Sequence, residues 1–214
     1  MLRCFALLML AAALGAPGCA STGIAIREQL GFPKREQLVS RVQDARDEQE
    51  KAKAQFATTL DEFQAITGFE GGDMEALYRR LQREQERSEA RAEDVRDRID
   101  DVERVAEALF SEWEEELDEY QSTELRRASE DQLDRTRDRY DQLLAAMQRV
   151  EASMEPVLQA FADQTLFLKH NLNARAIASL EGTVAGLTDE VAQLIDQMEA
   201  SIAEANIFIE ELQS

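Results

Sequence analysis

The residues best suited to chemistry in this 214-residue chain lie together within residues 157–180. That stretch reads VLQAFADQTLFLKHNLNARAIASL and holds one acid, Asp163, in a chain with 44 acidic residues. Two cations, two amides and the only histidine form a cluster there, which consists of Lys169, His170, Asn171, Asn173 and Arg175. On a continuous helix, the i,i+4 spacing within this cluster pairs a cation with an amide on each of two faces. The cluster could bind an anionic or amide-bearing ligand, or a partner protein.

The same cluster also has a purely structural interpretation. Polar groups inside a helical core must be hydrogen-bonded, and they favour one packing register over others. No catalytic residue is predicted, because the chain has one histidine and its only two cysteines are Cys4 and Cys19. Phe167 stands three residues before His170, where di-iron bundles carry a glutamate, so no metal site and no cofactor are predicted either.

Cys19 is the one residue for which the sequence predicts a covalent modification. A short basic start precedes an apolar run over residues 5–14, which is too short to span a bilayer. Small residues at positions 16–18 then precede the cysteine. This pattern predicts a lipoprotein signal peptide over residues 1–18 and lipid attachment at Cys19. The alternative is an ordinary secretory signal that is cut near Ala20.

Lipid attachment at Cys19 would hold the mature protein on a membrane outside the cytoplasm. Ala20 occupies the position where an aspartate retains bacterial lipoproteins at the inner membrane, so the periplasmic face of the outer membrane is expected. Residues 19–32 are predicted to form a lipidated tether, whose part after the cysteine reaches at most about 45 Å when extended. With Cys4 removed and Cys19 lipidated, no disulfide is predicted.

The charge balance limits the possible partners. The chain contains 24 basic and 44 acidic residues, which gives a net charge of −20. A surface this acidic repels nucleic acid and anionic lipid headgroups, so no nucleic-acid partner is predicted. Weak association with divalent cations is compatible with it.

Composition and periodicity predict an all-α fold. Proline and glycine are rare, and apolar residues recur at spacings of three and four. Pro33 suits the first turn of a helix that ends before Gly68. Asp73 is the expected N-cap of a second helix that reaches about Tyr120, and a third begins near Glu124. The first helix carries a heptad-like stripe, which consists of Leu38, Val42, Ala45, Gln49, Ala52, Phe56, Thr59, Phe63 and Ile66.

The sequence places the end of the third helix between Gly182 and Thr188. Gly182 and Gly186 interrupt the apolar pattern, and Thr188 resembles a new N-terminus that is followed by acids. A fourth helix is then expected over residues 189–212. Without a break, the final helix would project about 60 Å past the first turn with its apolar stripe bare. The predicted fold is an elongated antiparallel bundle or coiled coil of three to four long helices, with residues 33–214 as one domain.

Three stretches of the chain resemble a known family. They are KREQLVSRVQDARDEQEKAKAQF, SEARAEDVRDRIDDVERVAEALFSEWEEEL and MEPVLQAFADQTLFLKHNLNARAIASL. With these stretches and its signal, nearly the whole chain resembles the bacterial lipoproteins grouped as domain of unknown function 2959. The resemblance implies an envelope lipoprotein of helical build, and it brings no activity, cofactor or catalytic residue.

Two functions remain open from the sequence. The first is a non-enzymatic adaptor or scaffold in the cell envelope, which is anchored through Cys19 and acts through an envelope protein partner or through self-association. The second is a periplasmic sensor or binding module, in which the cluster takes a small ligand or the acidic helices take divalent cations. A ligand that binds only the native state would raise the melting temperature, so thermal melts distinguish the two.

Overall fold

The computed structural model describes residues 33–67, 73–171 and 174–213, except for the side chains of residues 174–181. Within these ranges the chain forms four α-helices and no strand. They are α1 (Lys34–Thr67), α2 (Met74–Leu117), α3 (Thr123–His170) and α4 (Ala174–Gln213). The predicted all-α fold is confirmed. The predicted signal peptide and tether, residues 1–32, lie outside the described residues.

The helices form an elongated four-helix bundle in which each helix packs against two neighbours. α2 packs between α1 and α3, and α4 packs between α3 and α1. Lys34 Nζ lies 2.9 Å from Glu112 Oε1, which joins the start of α1 to the end of α2. Arg46 Nη1 donates to Asn206 Oδ1 at 3.0 Å, which joins the first half of α1 to the last turns of α4. Successive helices are therefore antiparallel, as in an up-down-up-down bundle.

The bundle has two distinct ends. The N-terminal end contains Lys34, the α2–α3 turn at residues 118–122, and Gln213. The distal end contains the C-terminal ends of α1 and α3 and the N-terminal ends of α2 and α4. At 1.5 Å per residue, the two ends of α1 lie about 50 Å apart. None of the helices, over the parts of the chain that the structure describes, is long and apolar enough to cross a membrane.

The stripe predicted on α1 forms part of the core. All its members are buried, including the two polar residues Gln49 and Thr59. Asp73 caps α2 as predicted, since Ala76 N donates to Asp73 Oδ1 at 3.0 Å. The end of α2 differs from the prediction, because the helix stops at Leu117 and leaves Tyr120 outside it. The apolar spacing predicts the core well, and the helix ends less well.

The predicted break between Gly182 and Thr188 is wrong. These residues lie inside α4, which begins at Ala174. α3 ends at His170, and its C-cap is Asn171, whose backbone N–H donates to Leu168 O at 3.1 Å and whose side-chain Nδ2 donates to another carbonyl of the last turn at 2.9 Å. These bonds satisfy carbonyls that the end of a helix leaves without partners. A glycine inside a helix costs only about 1 kcal/mol relative to alanine, which is too little to end a helix that packs well.

Replacing Gly182 and Gly186 together with alanine is expected to stabilise the protein. Both glycines are exposed, and a Cβ added at either would meet nothing within 4 Å. Because alanine is favoured by about 1 kcal/mol at each helix-interior site, the free energy of unfolding should rise by 1–2 kcal/mol in urea titrations. The matched control is Ala185→Gly, which should lower it by about 1 kcal/mol. A loss of stability in the double alanine variant would contradict a continuous α4.

Candidate functional site

The structure divides the predicted cluster between two helices. Lys169 and His170 are the last residues of α3, and Asn171 is its C-cap. Asn173 and the side chain of Arg175 lie outside the described residues. Because α3 ends at His170 and α4 begins at Ala174, the cluster does not lie on one continuous helix, as the i,i+4 pairing requires. Its described members, Lys169, His170 and Asn171, form the end of α3.

Lys169 and His170 do not belong to the core. Both residues are exposed, and Asn171 is half-buried with its side-chain amide bonded to Phe167 O. The structural interpretation of the cluster, in which buried polar groups fix the packing register, is therefore wrong for Lys169 and His170. Basic groups in the last turn of a helix interact favourably with its unpaired carbonyls, which gives both residues a stable position at the surface.

Two large apolar side chains lie beside these cations. Leu166 is 56% exposed and Phe167 is 39% exposed, whereas the next residue, Leu168, is buried. Leu166, Phe167, Lys169 and His170 together form what we call the distal surface. Neither Lys169 nor His170 makes a hydrogen bond or ion pair with another side chain among the described residues. An apolar patch beside an exposed lysine and an exposed histidine can contact a protein that presents apolar and acidic groups.

A buried polar network between α1 and α2 was not predicted from the sequence. Thr59 Oγ1 lies 2.9 Å from Ser88 Oγ and donates to Glu84 O at 3.2 Å. Gln55 Nε2 donates to Glu84 Oε2 at 2.9 Å, and Arg87 Nη1 donates to Glu84 Oε1 at 2.6 Å. Both hydroxyl oxygens and both carboxylate oxygens of this network therefore have a partner, which lies either on the other helix or in the next turn of α2. The network therefore favours one register of α1 against α2.

Glu84 is ionised within this network. Burial opposes ionisation, but hydrogen bonds from Gln55 and Arg87 and the positive charges of Arg87 and Arg83 outweigh it and lower the pKa of the carboxyl. Its contribution to stability is therefore present above the ordinary carboxyl pKa and is lost as the pH falls through the lowered value. The only sequence signal for this network is Thr59, a polar position in the predicted stripe of α1.

A second polar position in the core has no partner within the described residues. Gln49 on α1 is 0% exposed, and both its side-chain amide atoms lack a hydrogen bond. Ser201 Oγ on α4 is equally buried and equally without a partner. Lys53 Nζ lies 3.6 Å from Glu199 Oε1, which places the two polar residues at neighbouring levels of the bundle. An unsatisfied buried amide opposes folding.

The acidic helix faces are paired with arginines. Asp101 Oδ2 lies 3.2 Å from Arg98 Nη1 and 3.9 Å from Arg41 Nη1, and Arg104 also pairs with this carboxylate. Over the described ranges, no group of three or more His, Cys, Asp or Glu side chains is arranged to hold a metal ion. The geometry of this acidic face gives no support to the interpretation of the acidic helices as a divalent-cation site.

A family model described as "Protein of unknown function (DUF2959)" matches residues 24–212. The chain belongs to this family. The resemblance to DUF2959 that the sequence predicted is confirmed. The match begins before Pro33 and includes α1, α2, α3 and α4 up to Leu212. Searches of curated proteins and of solved structures found no significant match.

Proposed function

We propose that this DUF2959 protein is a non-enzymatic lipoprotein on the periplasmic face of the outer membrane, where it acts as a helical adaptor or scaffold for another envelope component. The observation that carries this proposal is the opposite placement of two features. Lys34, which follows the predicted anchor and tether, lies at the N-terminal end, and the distal surface lies at the other end. At 1.5 Å per residue, α1 separates the two by about 50 Å.

The core supports a role as a rigid spacer between these two ends. A single cluster of buried side chains includes Leu38 near the start of α1 and Ile66 near its end, together with residues of the other three helices. Continuous packing of this kind resists bending, because each side chain is held by neighbours on other helices. A partner bound at the distal surface would therefore be held at a fixed distance from the start of α1.

The distal surface fits a protein partner of defined chemistry. Leu166 and Phe167 supply exposed apolar area, and Lys169 supplies positive charge on a protein whose net charge is −20. Opposite charge around an apolar contact steers association and fixes orientation. The expected partner is an envelope protein that presents an apolar patch with acidic residues around it.

Cys19→Ser is expected to release the protein from membranes. Each buried methylene of an acyl chain adds about 0.8 kcal/mol to membrane affinity, so several chains keep the native protein in the membrane fraction. Fractionation of cells that express the native or substituted chain measures this release. Ser21→Ala, two residues away, is the control and should leave the fractionation unchanged. A Cys19→Ser variant that sediments like the native protein would show that no lipid anchor is attached there.

A triple substitution of the distal surface is expected to abolish partner capture. Leu166→Ser, Phe167→Ser and Lys169→Glu remove the exposed apolar area and reverse one charge, and each changes an exposed side chain. A protein that copurifies with the native chain should be recovered at least tenfold less, which corresponds to about 1.4 kcal/mol of binding free energy. Ile207→Ser, at an exposed position on α4, is the control. Equal recovery from the native chain and the folded triple variant would exclude the distal surface as the site.

A further inference from the structure

We propose that residues 24–32 extend the bundle by packing against the hairpin tip, which we define as residues 113–133 of α2, α3 and the turn between them. In this arrangement the apolar side chains of the segment cover Tyr120 and Leu125, which are both exposed. The packing involves this chain's own residues only, and it does not require a lipid at Cys19.

The hairpin tip extends beyond the two outer helices. Lys34 Nζ meets Glu112 Oε1 at 2.9 Å, and Arg139 Nη2 meets Glu211 Oε1 at 3.0 Å. These ion pairs mark where α1 begins and where α4 ends against the hairpin. α3 begins at Thr123, so roughly 20 Å of it lies beyond the last turn of α4 at 1.5 Å per residue. No described helix lies opposite this part of the hairpin.

The apolar face of the bundle continues onto this uncovered tip. Leu125, Ser129 and Leu133 follow each other at four-residue spacing and so share a face of α3. Leu133 is 2% exposed, which shows that this face points toward the bundle interior, yet Leu125 is 59% exposed. On the opposing side, Trp113 is half-buried with its Nε1 donating to Ser129 Oγ at 2.8 Å, and Tyr120 is 41% exposed.

The chain that precedes α1 has the right pattern and length to cover this face. Lys34, the first residue of α1, meets Glu112 next to the hairpin tip, so residues 24–32 join the bundle at the end that they are proposed to cover. Residues 24–32 read IAIREQLGF, and their large apolar members all occupy even positions, namely Ile24, Ile26, Leu30 and Phe32. An extended chain places alternate residues on one side, and a residue before proline favours extended backbone. Nine extended residues reach about 30 Å, which is enough for the uncovered tip.

The family boundary supports the same assignment. The DUF2959 match begins at residue 24 and not at the start of α1, so the segment belongs to the family domain together with the helices. A packed segment would shorten the predicted tether to residues 20–23, which reach about 13 Å when extended in place of about 45 Å. The N-terminal end of the bundle would then be held close to whatever Cys19 is attached to.

The fluorescence of Trp113 tests this packing, because Trp113 is the only tryptophan of the chain and lies in the hairpin tip. Acrylamide quenching is measured on the whole purified chain and on the Leu30→Ser, Phe32→Ser double variant. Removing the segment's apolar contacts should raise the quenching constant about twofold, since local protection is lost. The control, Leu166→Ser with Phe167→Ser, makes a matched change at the opposite end and should leave it unchanged. An unchanged constant in the segment variant would overturn the proposal.

Trypsin cleavage after Arg27 tests the same contact from the other side. The variant is the whole chain with Tyr120→Ser and Leu125→Ser, two positions that are exposed in the structure. Circular dichroism of this variant checks that its helices remain. Loss of the apolar tip should free the segment, so cleavage after Arg27 should become several-fold faster than in the native chain. Equal cleavage rates in the two proteins would show that the tip does not hold the segment.

Discussion

Phe161→Ala is expected to lower the free energy of unfolding by about 3–5 kcal/mol, the cost of removing a buried aromatic ring and leaving a cavity. Phe161 on α3 is 0% exposed. Its ring stacks on those of Phe63 and Phe56 of α1, with centroid distances of 5.3 and 6.0 Å. The substitution removes the partner that both α1 rings share, in the distal half of the core. Urea denaturation with linear extrapolation measures the loss.

Phe167→Ala is the matched control for this prediction. It makes the same chemical change on the same helix, but Phe167 is 39% exposed and its partial burial supplies less stability. We expect a loss of no more than about 1 kcal/mol. A Phe161→Ala variant that is no less stable than Phe167→Ala would mean that the three rings do not form a shared core contact.

Gln49→Leu is expected to raise the free energy of unfolding by about 1–3 kcal/mol, the typical cost of a buried polar group without a hydrogen bond. Gln49 is fully buried with no partner for its side-chain amide among the described residues. Leucine has a similar volume and suits the apolar stripe of α1, so the core should accept it without overpacking. Thermal and urea unfolding of the native and substituted proteins measure the gain.

Gln193→Leu is the control for this gain. Gln193 is exposed on α4, so the same change there should alter stability by less than about 0.5 kcal/mol. A Gln49→Leu variant that is less stable than the native protein would show that the amide has a stabilising partner in solution.

The spacing of apolar residues predicts the helices and their buried faces because it is a property of each helix alone. Leu38 to Ile66 on α1 follow the heptad-like pattern, and every member of that stripe is buried. Tyr120 departs from the same reasoning on α2, since the helix ends at Leu117 and the next three residues belong to the turn. The spacing of apolar residues therefore predicts which side chains are buried only within the residues that are helical.

The position of the α3–α4 turn depends on the partner helices. α3 ends at the level where α1 also ends and α2 begins, because a helix that continued past them would expose its apolar side. Gly182 and Gly186 carry the stronger local signal for a break, yet packing against α1 and α3 keeps α4 helical through both. A local signal worth about 1 kcal/mol does not override the burial of a whole helix face.

The properties of the candidate site also follow from where helices end and what lies opposite. Lys169 and His170 are exposed because they lie off the buried face of α3, which includes Thr165 and Leu168. The network at Glu84 needs Gln55 and Thr59 of α1, which lie opposite it only in the folded bundle. The sequence therefore identifies a cluster of unusual composition near the distal end, and the structure places two of its members, Lys169 and His170, at the surface.

Photo-cross-linking in cells, at three positions along α3, tests the adaptor role most directly. A photo-reactive residue replaces Phe167 in the distal surface, Ala145 near the middle of the helix, or Arg127 in the hairpin tip, all of them exposed positions. We expect a discrete adduct with an envelope protein from position 167 and none from positions 145 and 127. An adduct that forms equally from all three positions, or only from position 127, would contradict docking at the distal surface.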